Sequence, residues 1–164
     1  MAKMKRGRIA ALCINDKKEV RKYPQEYVVL TEHGFAGDRH EGPTRRSYRT
    51  GEQTFNDRQI TIVAKEVVDE IARELQIEIP AGGLGENILV EGLGDLSDLK
   101  GGELFEFEGG VVLEVTGQNS PCKNINVYHK LVVKKIYGRR GVIATVRMSG
   151  IIYSDEYVVL TSGG

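Results

Sequence analysis

Hydrophobic positions along this chain fall in short runs, and most of the runs have the length of strands rather than of helices. Arg8 to Ile14 is apolar and closed by the polar cluster Asn15-Asp16-Lys17-Lys18, and Tyr27-Val28-Val29-Leu30-Thr31 forms a second run. Ile60-Thr61-Ile62-Val63 predicts a strand leading into the one convincing helix, Lys65 to about Leu75. There Val67, Ile71 and Leu75 repeat at i, i+4, i+8 with Val68 and Ala72 beside them, while Glu66, Asp69, Glu70, Arg73 and Glu74 hold the opposite face. Asn87 to Val90, Gly141 to Val146 and Glu156 to Leu160 predict further strands. Between Gly34 and Asp57 hydrophobic periodicity vanishes, and four Gly and one Pro accompany Arg39, Arg45, Arg46 and Arg49, which reads as a long loop that is functional or disordered.

The clearest local signal is Glu103 to Phe107 followed by Val111 to Val115, two alternating runs around Glu108-Gly109-Gly110. A two-residue Gly-Gly loop would set Phe105 against Glu114. A three-residue loop, Glu108 to Gly110, instead sets Phe107 against Val111 and Phe105 against Leu113, and places a glycine where a left-handed residue is needed, so the odd loop is expected. Roughly eight or more short strands, one or two helices and 20 Gly in 164 residues predict a mainly β fold. The expected architecture is a closed or nearly closed β-barrel with one or two peripheral α-helices, a single domain over residues 1–164 with its core at about 7–160.

Charge narrows the choice of partner. With 23 Lys+Arg against 23 Asp+Glu, the chain lacks the positive excess that first holds nucleic acid or an anionic membrane, so neither is expected as a partner. The N-terminal apolar run, Ile9 to Ile14, is too short for a signal-peptide core or a membrane span. Cys13 and Cys122 form no CxxC or Cys/His zinc spacing, which fits a reducing compartment, and the protein is expected to be soluble, unprocessed and cytoplasmic.

Several elements could carry chemistry. Gly37-Asp38-Arg39-His40 presents an imidazole and a guanidinium together, although an ordinary surface turn has the same spacing. His33, His40 and His129 show no metal-ligand spacing. Arg58-Gln59 and Gly85-Glu86-Asn87 stand at strand starts, where polar side chains can enter a pocket at a barrel mouth. Gly138-Arg139-Arg140-Gly141 offers guanidiniums and free backbone N–H groups to a phosphate, or is simply a charged turn. Ser120-Pro121-Cys122-Lys123 stands out, because it puts a thiol on a polar loop beside a lysine that favours the thiolate, the form that attacks, carries sulfur or ligates a soft metal. Cys13, inside an apolar strand, reads as packing.

The order Gly37-Asp38-Arg39-His40, Arg58-Gln59-Ile60-Thr61-Ile62, Gly85-Glu86-Asn87-Ile88, Gly101-Gly102-Glu103-Leu104 and Pro121-Cys122, followed by a glycine-bounded C-terminal strand pair, resembles the MOSC domain family, named for the C-terminal part of molybdenum cofactor sulfurases. The resemblance implies a strand-rich barrel that binds molybdenum cofactor, with a cysteine at the position of Cys122 that ligates molybdenum or carries sulfur for metal–sulfur centres. It further implies that His40, Arg58 and Asn87 shape the pocket and that Lys123, Arg139 or Arg140 engages the pterin phosphate. No pyridoxal-phosphate domain or ferredoxin-type cysteine set is found, so a separate sulfur or electron donor protein is expected. Two other readings stay open: a molybdenum-dependent reductase of N-hydroxylated substrates such as hydroxylaminopurines, and a non-enzymatic β-barrel binding module.

Overall fold

The computed structural model describes residues 3–162. Its strands are β1 (Lys3–Ile14), β2 (Tyr23–Gln25), β3 (Tyr27–Thr31), β4 (Gly34–Phe35), β5 (Thr44–Arg46), β6 (Gln53–Phe55), β7 (Ile60–Ala64), β8 (Ile88–Glu91), β9 (Leu104–Phe107), β10 (Val112–Gln118), β11 (Val142–Met148), β12 (Gly150–Tyr153) and β13 (Tyr157–Ser162). Two α-helices, α1 (Lys65–Leu75) and α2 (Val132–Ile136), and a 3₁₀ turn at Lys123–Val127 accompany them. Seven strands close on themselves in the order β13-β9-β10-β11-β7-β8-β1, with β1 pairing back onto β13. Closure leaves the barrel wall without an unpaired edge, as expected from the many short strands.

The long first strand makes this closure. Lys3 to Arg8 of β1 pair with β13, Arg8 to Leu12 pair with β8 across an irregularity between Ile9 and Ala11, and Leu12 to Ile14 pair with β2. All neighbours in the barrel are antiparallel except β7 and β8, which run parallel, with Ile62 opposite Ile88. A parallel pair needs a long crossover, and α1 supplies it. All five residues of β7 are buried, the pattern of a strand covered on both faces. Val67, Val68 and Ile71 are the buried stripe of α1, as its periodicity predicts, and Gln76 in the left-handed conformation ends the helix by directing its N–H back to Arg73 O.

The β9–β10 hairpin has the expected register: Phe105 faces Leu113, the Phe107 N–H donates to Val111 O (2.9 Å), and Gly110 takes φ +97°. Phe105 and Leu113 thereby enter the core with Ile60, Ile62, Ile88, Val142 and Ala144, all fully buried. Each of these side chains except that of Ala144 contributes roughly 1.5–3 kcal/mol by leaving water. The stretch from Gly34 to Asp57 is more ordered than its lack of periodicity suggested. β4 extends a small sheet with β3 and β12, and β5 and β6 form a hairpin of their own, so main-chain pairing carries a segment too polar to show alternation.

Candidate functional site

The barrel register decides which polar residues meet. Leu12 and Ile62 both lie opposite Ile88, so Asn15, Arg58 and Glu86 stand just beyond the same end of three neighbouring strands, β1, β7 and β8. Into this end the chain folds Lys22, from the segment joining β1 to β2, and the Asp38-Arg39-His40 turn. Lys22 is fully buried, its backbone fixed by an N–H bond to Gly82 O (2.8 Å). Gly82 takes φ +76°, and a Cβ there would stand 2.1 Å from the Lys22 carbonyl oxygen, so the close approach of these segments requires glycine.

Lys22 Nζ donates to Asp38 Oδ2 at 2.8 Å and lies 2.9 Å from His40 Nδ1. Asp38 has its lone pairs filled further by the N–H groups of Asn15 (3.0 Å, to Oδ1) and His40 (3.1 Å, to Oδ2). Burial pushes the Asp38 carboxyl up, but the Lys22 ammonium and these donors outweigh it and hold the group below the ordinary carboxylate range. Burial lowers Lys22 to about 8 against the pull of Asp38, and burial together with the Lys22 charge lowers His40 to about 3. An ammonium can only donate, so His40 Nδ1 accepts from Lys22, and the neutral ring carries its proton on Nε2. One-third of the His40 side chain remains open to solvent.

A second buried group adjoins the first. Glu86 is 1 % exposed and accepts the N–H groups of Gly82 (2.9 Å) and Leu84 (3.1 Å). Burial raises its pKa in spite of those donors and of Arg140. Arg140 is 8 % exposed; one terminal nitrogen donates to Leu84 O, while Nε and Nη1 are buried with no partner. Burial lowers the pKa of Arg140, opposed chiefly by Glu86. The exposed Cys122 belongs to a loop tied to the residue that follows this partly satisfied guanidinium. Two contacts bring its loop there: Asn119 N–H donates to Gly141 O (2.9 Å), and the Tyr128 hydroxyl donates to Gly83 O (2.6 Å).

The remaining expected residues divide. Arg58 exerts its charge on His40 and has a buried, unpartnered Nε, which places it at the same end of the barrel. Arg139 turns away, pairing with Glu70 of α1 and donating to Lys135 O (3.0 Å). Lys123 is exposed beside Cys122. Asn87 is fully buried, with both ends of its amide spent on the wall: Nδ2 donates to Cys13 O (3.1 Å) and Oδ1 accepts the Thr61 N–H (3.1 Å). Cys13 is buried as expected, and burial raises its thiol to about 12. Lys22 was not singled out as functional by its type or spacing, and Glu86 only as part of the Gly85-Glu86-Asn87 strand start; a lysine in Val20-Arg21-Lys22-Tyr23 reads as solvated, and only the fold shows otherwise. A surface hollow lined by Ile14, Gln25, Tyr27, Val29 and Ala36 among others contains none of these groups.

Comparison with known proteins agrees with this architecture. The family model of the MOSC domain matches residues 36–159. The chain belongs to the MOSC domain family. Within that family it is similar to YuaD of Bacillus subtilis (strain 168), at 33% identity over 147 residues that cover 79% of this chain and 77% of YuaD. The name of YuaD assigns it, provisionally, to metal-sulfur cluster biosynthesis. The crystal structure of YuaD superposes with a TM-score of 0.90 at 30% identity, both chains being covered throughout. The crystal structure of YiiM from Escherichia coli shares the fold, with a TM-score of 0.70 at 22% identity over 97% of this chain and 71% of YiiM. No helix among the described residues is long and apolar enough to cross a membrane.

Proposed function

We propose that this MOSC protein binds molybdenum cofactor, with Cys122 ligating molybdenum or carrying sulfur for metal–sulfur chemistry. The observation that carries the reading is Arg140, a buried guanidinium with two unpartnered nitrogens, next in sequence to the Gly141 whose carbonyl holds the Cys122 loop through Asn119. Nitrogens of this kind cost stability until an anion meets them, so this end of the barrel suits an oxyanion-bearing group with a soft metal. Among the described residues no three His, Cys, Asp or Glu side chains are grouped to hold a metal, so a metal here would bring most of its ligands with it, as a pterin dithiolene does. Arg140 and Arg58 would hold its oxygens, Cys122 would supply a thiolate, and Lys123 at the rim would meet a phosphate. The bound group would supply a redox-active, sulfur-ligated metal. The protein's part is to hold it, orient it and keep the Cys122 sulfur available. Asn87 serves by bracing the wall, and Arg139 by fixing the 138–141 turn against α1.

The free thiols suit a reducing compartment, the cytoplasm, and a separate protein would donate sulfur or electrons. The test is molybdenum content together with intact mass for a persulfide, on protein made without reductant in a host that produces the cofactor, wild type beside Cys122→Ser. Molybdenum or one extra sulfur in the wild type alone places the chemistry at Cys122; equal content in both proteins rejects that role.

A second reading, reduction of N-hydroxylated substrates such as hydroxylaminopurines, is favoured by one specific observation. Reductive cleavage of an N–O bond consumes protons, and His40 presents a ring that is neutral, partly exposed and backed by a buried ammonium.

A further inference from the structure

We propose that Lys22, Asp38 and His40 form a proton relay, in which a proton held on the buried Lys22 is delivered at His40 Nε2 to a group bound at the open side of the ring. The inference deepens the reductase reading and rests on it for the identity of the acceptor; the relay itself rests on the geometry of the three side chains.

The connections are direct. Lys22 Nζ stands 2.9 Å from His40 Nδ1 and 2.8 Å from Asp38 Oδ2, and both Lys22 and Asp38 are sealed from solvent along their side chains. Asp38 accepts three donors in all and has none to give, so it anchors the ammonium without competing for the proton. The one member that reaches solvent is His40. A lysine whose only purpose was packing would not be buried whole, since desolvating an ammonium costs several kcal/mol and an apolar side chain would fill the space. The backbone around it is held as firmly: the His40 and Gly42 carbonyls each receive the Asn56 carboxamide at 2.8 Å, which fixes the turn that carries Asp38 and His40.

The transfer needs no charged imidazole. As Nε2–H gives its proton to the acceptor, Nδ1 takes one from Lys22, and the Nδ1–H then donates back to the neutral amine in the same 2.9 Å contact. Lys22 is restored from solvent through the reverse exchange once product leaves. For an N-hydroxylated amine the balance is R–NHOH + 2 e⁻ + 2 H⁺ → R–NH₂ + H₂O. The N–O bond breaks, the oxygen leaves as water with one proton from the relay, and solvent water supplies the second proton to nitrogen. A reduced electron-transfer protein supplies both electrons. The charges that face the relay from surrounding elements are Arg39, Glu86 and the Cys13 thiol around Lys22, and Arg39 and Arg58 around His40.

The experiment compares wild type, Lys22→Gln and His40→Gln, the last at a partly exposed position so that folding is preserved. Nitrogen-15 NMR of the imidazole reads the relay without cofactor. The expected result is a proton on Nε2 and none on Nδ1, with both shifts moving around pH 8 as Lys22 titrates and standing still in Lys22→Gln. A proton resident on Nδ1 below that pH, or shifts flat from pH 7 to 9.5, overturns the relay. On cofactor-loaded protein, reduction of a hydroxylaminopurine should fall as pH rises through about 8. Both variants should slow it roughly a hundredfold, and Lys22→Gln should lose that limb. Variants that keep the wild-type rate and pH profile overturn the relay. Molybdenum content, measured on the same samples, judges the cofactor reading separately.

Discussion

Replacing Arg140 by methionine tests whether its buried guanidinium serves the folded wall or a ligand. The change keeps the apolar stem and removes the charge, the bond to Leu84 O and two nitrogens that have no partner. A charged hydrogen bond is worth about 1.5–3 kcal/mol, and each unsatisfied buried donor costs about 1–3 kcal/mol. Losing the first and recovering the second give a net change between a loss of about 1 and a gain of about 4 kcal/mol. Loss of the guanidinium removes one of the influences that lower the Glu86 carboxyl, so its pKa moves further in the upward direction that burial already sets. Urea unfolding followed by far-UV circular dichroism, which suits a chain without Trp, reads the difference. Arg139→Met, which breaks a surface pair with Glu70 and an exposed bond to Lys135 O, serves as control and should change stability by less than about 1 kcal/mol. If Arg140→Met loses more than about 2 kcal/mol, the guanidinium is a structural partner of the Leu84 loop and the argument for a ligand at Nε and Nη1 fails. If stability holds while retained molybdenum is lost, the residue is kept for what it binds.

Three other outcomes follow from the same geometry. Asn87→Ala orphans the Thr61 N–H and the Cys13 carbonyl in the barrel wall and should cost about 2–6 kcal/mol, whereas a loss under 1 kcal/mol in thermal or urea unfolding would show that the wall repairs itself. Iodoacetamide at pH 7 to 8 should alkylate Cys122 and spare Cys13, which is fully buried with its thiol pushed up to about 12; two adducts by intact mass on native protein would contradict the packing. His40 has a folded pKa of about 3, below its unfolded value near 6.5, so the stability it gives is whole above pH 6.5 and drains as pH falls toward 3. After allowance for its exposed third this is about 1–2 kcal/mol, and His40→Gln should flatten that limb of the stability–pH curve.

What could be read in advance depended on how local its cause was. The helix at Lys65–Leu75 and the β9–β10 register follow from side chains within a few positions of each other, and both match. The β5–β6 hairpin was invisible because its pairing runs through the main chain while Arg45, Ser47 and Thr54 face water or polar neighbours. At the proposed site, the exposure of Cys122 was legible because its Ser120-Pro121-Cys122-Lys123 surroundings are polar. Lys22 was not, since its burial depends on Asp38 and His40, sixteen and eighteen positions later. Asn87 and Arg139 have types that suit a ligand, yet the carboxamide is used by the β1–β7–β8 seam and the guanidinium by α1, and neither partner is near in sequence.

The seam between β1 and β13 has a kinetic meaning. Lys3 pairs with Ser162 and Arg8 with Tyr157, so β1 is held in register by a strand made about 150 residues later. Until β13 emerges, β1 has β8 and β2 but an open flank, and the nascent chain exposes an unpaired edge throughout synthesis. Contacts so distant along the chain carry a large loop-closure entropy and slow the final step. The charges along that flank, Lys3, Lys5, Arg6 and Arg8, then act during folding: they keep the waiting edge soluble and discourage it from joining the edge of another chain.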